Sequence, residues 1–67
     1  MMQITVNGQP TQLAPDTTLA QLLESMQLGE KRIAVECNQS VIPRSAHSTL
    51  RLTPGDAVEI VHAIGGG

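Results

Sequence analysis

Apolar and polar residues alternate from the start of the chain. Met2, Ile4 and Val6 interleave with Gln3, Thr5 and Asn7. A period of two places one set on a core and the other in water, which predicts a half-buried strand. Asn7-Gly8 follows, and both residue types tolerate positive φ, so a tight hairpin is expected there. The return strand should cover about Gln9 to Leu13. Pro10 has no N–H for a ladder, which places that strand at a sheet edge. After a turn at Pro15-Asp16-Thr17 the period changes. Leu19, Leu22, Leu23 and Met26 recur at i, i+3, i+4 and i+7, one stripe of a helix ending near Met26. Thr18 and Gln21 stand at the two positions of a capping box. Gly29 is the expected left-handed residue closing the helix.

Alternation returns at Ile33, Val35 and Cys37 against Ala34, Glu36 and Asn38, a second half-buried strand. Asn38-Gln39 is a turn candidate, and Val41-Ile42 is a short return strand stopped by Pro43. Residues 44–53 are less regular, with Leu50 and Leu52 as core anchors. Pro54-Gly55-Asp56 makes a turn. The segment from Ala57 to Ile64 is apolar apart from Glu59 and His62, which suggests a central strand covered on both faces. The order of hairpin, helix, short strands and final strand describes an α+β domain, with a mixed sheet of about four or five strands against one main helix. This order matches the β-grasp, or ubiquitin-like, architecture. Its first and last strands would run parallel, joined by a crossover. The domain is expected over residues 1–64, with 65–67 as a flexible glycine tail.

Composition narrows the function. The 67 residues include no aromatic side chain, so the core must be aliphatic, and bases would find no stacking platform. A net charge of −2 speaks against a nucleic-acid binder. No apolar run approaches the ~20 residues of a membrane span, and the first residues lack the features of a signal peptide. A single cysteine without an export signal fits a reducing, cytoplasmic setting. The residue types do not assemble into a catalytic constellation, a phosphate cradle or a metal-ligand cluster. The acidic residues fall at turns or on solvent phases. Cys37 shares the inward phase of Ile33 and Val35 and reads as a small core hydrophobe rather than a reactive thiol. His62 is either a satisfied sheet histidine or a lining of the path to the tail, with the first preferred. An independent enzyme is not expected.

Gly65-Gly66-Gly67 follow the last apolar segment directly. Taken alone, they fit a frayed end or a leftover of expression. They also fit a mechanical role. Without Cβ atoms they can thread a narrow channel in a partner and bring a terminal carboxylate to its active site. A carboxylate is a poor electrophile, so it needs a leaving group such as AMP before a nucleophile can attack its carbon. The catalytic residues would then belong to the partner.

Several motifs resemble the ThiS family of sulfur carriers of thiazole (thiamine) biosynthesis. They are Asn7-Gly8, the Thr-Leu-x-x-Leu-Leu helix opening from Thr18 to Leu23, Ile33-Ala34-Val35 leading to Asn38, and Val41-Ile42-Pro43-Arg44. The match continues with Leu52-Thr53-Pro54-Gly55-Asp56, Val58-Glu59-Ile60-Val61 and Ala63-Ile64-Gly65-Gly66-Gly67. The chain departs from the family pattern modestly, at Cys37, Gln39 and His47. The resemblance implies a carrier that is not itself an enzyme and holds no bound cofactor or metal. A ThiF-type adenylyltransferase would use ATP to adenylate the Gly67 carboxylate. A persulfide donor would convert it to a thiocarboxylate, and thiazole synthase (ThiG) would accept the sulfur. Gly65 and Gly66 would lie in the partner's channel, and the free carrier would be a monomer. The aliphatic sheet face is a candidate docking surface. Arg44 and Arg51 are candidate ion-pair partners, with a solvated or turn-stabilising role preferred. The small sulfur-carrier subunit of molybdopterin synthase, a ubiquitin-like modifier and a plain interaction domain remain as alternatives.

Overall fold

The computed structural model describes residues 1–29 and 31–62. Five strands form one mixed sheet: β1 (Met2–Val6), β2 (Gln9–Leu13), β3 (Ile33–Cys37), β4 (Ser40–Val41) and β5 (Ala57–His62). Their spatial order is β2-β1-β5-β3-β4, so the expected central place of the last strand is met. β5 runs parallel to β1 and antiparallel to β3. The remaining neighbours, β1 with β2 and β3 with β4, are antiparallel hairpins. β2 lies at the edge that Pro10 requires. With one helix, α1 (Leu19–Ser25), on the sheet, this is the β-grasp arrangement expected from the sequence.

Period-two patterning decides which side of the sheet is covered. Met2, Ile4 and Val6 of β1, Val35 and Cys37 of β3, and Val58 and Ile60 of β5 are buried. They form a single cluster with Leu19, Leu22 and Leu23 of α1 and with Leu52. Ile4, Leu19, Leu22, Val35 and Val58 are the fully enclosed side chains at its centre. The other face of the sheet carries Glu36, Glu59 and Val61. β5 is therefore central but not covered on both faces, as its apolar run had suggested. Val61 is 58% exposed. β5 is central because it pairs on both edges, parallel with β1 and antiparallel with β3, and no second layer among the described residues covers its outward side chains.

The helix is held at both ends by hydrogen bonds. Thr18 Oγ1 accepts from Gln21 N (3.2 Å) and Gln21 Oε1 accepts from Thr18 N (2.8 Å), the expected capping box. The first two helical amides, which have no partner within the helix, find one in the segment that the sequence left irregular. Leu19 N donates to Leu50 O (2.9 Å) and Ala20 N donates to His47 O (2.8 Å). That segment begins with a 3-10 turn, Arg44–Ala46, and Leu52 N returns to Thr17 O at 2.9 Å. At the C-terminal end the left-handed residue is Gln27 (φ 63°), not Gly29. Gln27 N bonds Glu24 O (2.9 Å) and Leu28 N bonds Leu23 O (2.8 Å), the paired bonds of a Schellman motif. Leu28 folds back onto the core, and this apolar contact sets where the helix stops. Met26 is the helix C-cap and is 40% exposed, so it leaves the buried stripe.

The β3–β4 turn places Asn38 (φ 52°) and Gln39 (φ 72°) in the left-handed region. Asn tolerates this, whereas Gln bears the steric penalty of its Cβ. Replacing Gln39 with Gly should raise stability by about 0.5–1 kcal/mol, read as a higher urea midpoint at unchanged m-value. An unchanged or lower midpoint would show that the turn is not strained at this position.

Candidate functional site

The residues singled out by sequence, Gly65, Gly66 and Gly67, lie outside the described residues. What the structure supplies is the platform from which they follow, the strand β5. Its backbone groups alternate between two neighbours. Asn38 N donates to Ala57 O (2.8 Å), so the odd-numbered residues of β5 face β3. The even-numbered residues face β1, where Thr5 N meets Asp56 O (3.0 Å) and Asn7 N meets Val58 O (2.8 Å). The β1 register ends at Val6↔Val58, but β5 continues to His62. At that step a side chain takes over from the strand: Asn7 Oδ1 accepts from Ile60 N at 2.8 Å, in a partly buried position.

The start of β5 is tied by a second polar cluster. Asp56 Oδ2 accepts from Thr53 N (2.8 Å), and its Oδ1 accepts from Thr53 Oγ1 (3.0 Å) and Asn38 Nδ2 (3.0 Å). Asn38 Oδ1 in turn accepts from Ala57 N at 3.0 Å. The cluster joins the β3–β4 turn to the loop entering β5. Partial burial pushes the Asp56 carboxyl up. The hydrogen bonds from Thr53 and Asn38 outweigh it and hold the carboxyl below its ordinary value. Cys37 is buried and belongs to the core, as its phase predicts. Burial pushes its thiol above the ordinary value, and the neighbouring Asp56 charge adds to this, which suits an unreactive sulfur.

The other sequence candidates occupy plain positions. His62 ends β5 opposite Ile33 and is exposed, so it is not a buried, satisfied sheet histidine. Arg44 Nη2 donates to Gly29 O (3.2 Å), the turn-stabilising role preferred from sequence. Arg51 Nη1 stands 3.8 Å from Asp16 Oδ1, and both side chains are largely in water. Such a pair adds little to stability. The aliphatic face of the sheet is covered by the helix and is not a free docking surface. The exposed aliphatic residues instead lie on the opposite face, where Val61 pairs with Ala34 and Val41 pairs with Glu36. Among the described residues no His, Cys, Asp and Glu group could hold a metal ion, and no helix is long and apolar enough to cross a membrane. Sequence reasoning missed the Asn7 and Asp56 contacts. Asp56 stands three residues after Thr53, the spacing of a side-chain-closed turn, which is a readable signal. The Asn7–Ile60 contact has no local signal.

The sequence model of the ThiS family matches residues 4–67, which include the three glycines. The chain belongs to the ThiS family. Similar ThiS-family chains include the sulfur carrier protein ThiS of Bacillus subtilis. It is 38% identical over 68 residues, a match covering 100% of both chains. The crystal structure of the thiamine biosynthesis protein ThiS from Geobacter metallireducens superposes with a TM-score of 0.85 at 33% identity, covering 98% of this chain and 100% of that one. A thiazole synthase of Magnetococcus marinus is 38% identical over 66 residues. There the match covers 98% of this chain but 20% of the longer protein, so the ThiS-family chain spans about a fifth of that relative.

The lowered Asp56 value has a defined consequence for stability. Its contribution is present above the unfolded carboxyl value, about 3.9, and is lost as pH falls through the lower folded value. The urea midpoint should therefore fall as the pH drops below about 4, and it should fall less steeply in Asp56→Ala. Parallel pH profiles for the two proteins would show that the Thr53 and Asn38 bonds contribute nothing.

Proposed function

We propose that this protein carries sulfur for thiazole formation in thiamine biosynthesis and that Gly67 is the group modified. The observation that carries the reading is the family match through Gly65-Gly66-Gly67, on a body whose last described strand, β5, precedes that segment in the sequence. The chemistry follows from the terminal carboxylate. A ThiF-type adenylyltransferase joins it to AMP at the expense of ATP, with pyrophosphate as the other product. The terminal sulfur of a persulfide donor then attacks the activated carbonyl carbon, and AMP leaves. Cleavage of the remaining S–S bond by a thiol leaves a thiocarboxylate on Gly67. Thiazole synthase takes this sulfur, and the carboxylate returns.

In this scheme the carrier supplies no catalytic side chain and holds no cofactor or metal. Gly65 and Gly66 occupy the partner's channel, where a Cβ would be excluded. The raised thiol of buried Cys37 supports this division of labour, because the chain then offers no competing sulfur nucleophile of its own. The lengths of the matches also support a thiazole synthase as acceptor, since chains of that name from two organisms contain a stretch similar to 98% of this chain. The reactions belong to the cytoplasm, and the free carrier is a monomer.

Two measurements test the proposal. Intact mass after incubation with the adenylyltransferase, ATP and a persulfide donor should show one oxygen replaced by sulfur at the C-terminus. Unmodified protein alone, or lysine conjugates, would overturn the carrier reading. Transfer to the large subunit of molybdopterin synthase but not to thiazole synthase would overturn the proposed acceptor. Deleting Gly67 should abolish adenylation while leaving the cooperative unfolding transition within about 0.5 kcal/mol, the range of changes far from the core. Loss of that transition would show that the tail and the body are not separable.

A further inference from the structure

We propose that Asn7 is a positioning residue for the C-terminal segment, acting through its Oδ1 on the amide of Ile60. This inference rests on the carrier function proposed above.

The geometry isolates the contact. β5 has two neighbours only as far as Val58, where the β1 register ends. Beyond it β3 pairs with β5 through Ile33↔His62, which fixes one edge of the strand. On the other edge β1 has already turned away through Asn7 (φ 50°) and Gly8 (φ 82°). The Asn7 side chain fills the place of the next β1 residue and receives the Ile60 amide at 2.8 Å. The same alternation points Ile60 C=O and His62 N–H toward that edge, where β1 supplies no residue.

With β3 along one edge and Asn7 at Ile60 on the other, the course of β5 is fixed up to His62, the last described residue before the glycines. An angular error at the end of a strand is magnified with distance along whatever chain follows, whose reach is at most ~3.3–3.6 Å per residue. A glycine segment has no side chains to correct it. A carrier whose terminal carbonyl must reach a buried reacting geometry therefore benefits from a fixed departure point, because misplacement of about 1 Å is costly to a reaction. Asn7 thus does two jobs. Its backbone makes the turn, and its amide side chain braces a strand more than fifty positions away in sequence.

The two jobs can be separated by substitution. Asn7→Gly keeps the positive φ and the turn, since Gly-Gly also suits this turn type, but removes the acceptor. Asn7→Asp keeps both the tolerance of positive φ and an acceptor oxygen. In Asn7→Gly, amide hydrogen exchange at Ile60 should quicken by about tenfold or more while β1–β2 amides change little. The KM for this carrier in the adenylation reaction should rise about tenfold with kcat within about twofold, because the partner's channel holds the tail once it has entered. Asn7→Asp should restore both readouts to near wild-type values. Unchanged Ile60 exchange in Asn7→Gly, or faster exchange with unchanged KM, would overturn the positioning role. If Asn7→Gly lost its cooperative transition, Asn7→Asp would still decide. Wild-type exchange at Ile60 and wild-type KM in Asn7→Asp support the role, and a tenfold rise in either overturns it. Failure of the wild-type chain to be adenylated at all is a different result, which removes the carrier reading and leaves the exchange measurement to stand alone.

Discussion

A single layer of aliphatic side chains between the sheet and a two-turn helix holds this protein together. With no aromatic residue available, no one side chain can fill a large volume, so the core is assembled from many branched and linear chains of modest size. Ile4, Val58 and Val35 come from three adjacent strands, β1, β5 and β3, and all three belong to the same buried cluster as Leu19 and Leu22. The parallel placement of β5 beside β1 is what brings the first and last described strands together in that layer. If β5 were removed, both β1 and β3 would lose a neighbour, and the helix would lose the middle of the surface it covers. The cost of burying so little area is that every strand end has to be closed by something other than more strand.

Short polar side chains provide that closure. Buried or strand-edge amides need partners, and in so small a fold secondary structure cannot supply them all. Thr18 and Gln21 close the start of the helix, and carbonyls of His47 and Leu50 accept its first two amides. Asp56 closes the loop into β5 and binds it to the β3–β4 turn through Asn38. Asn7 closes the edge of β5 where β1 ends. Each contact is weak alone, with hydrogen bonds of this kind adding about 0.5–1.5 kcal/mol. Together they determine where the strands begin and stop.

This design accords with a carrier. The described residues form a body with its core on one side of the sheet, and β5, its central strand, is the last described element. Among the described residues the cysteine is buried, the histidines are not grouped, and the acidic residues lie at turns or on the outer faces. The outward sheet face, with Val61 and Val41 exposed beside Glu36 and Glu59, is the part of the strand layer left for contact with others.

Local pattern settled much of this in advance. The alternation of Met2, Ile4 and Val6, the hairpin at Asn7-Gly8, the capping box at Thr18 and the inward phase of Cys37 depend on near neighbours. Their periodicity and turn chemistry are properties of the sequence itself. The glycines and the family motifs were legible for the same reason, since they are contiguous residues. Other outcomes were settled only by folding. Gln27 rather than Gly29 takes the left-handed cap because Leu28 reaches the core one step earlier. Val61 stays in water because no second layer among the described residues covers it. Residues 47–52 became partners of the helix because its first amides had no others. Asn7 braces Ile60 because a parallel crossover brings them together. These depend on which surfaces meet in space, and hydrogen bonds between residues distant along the chain leave no period behind.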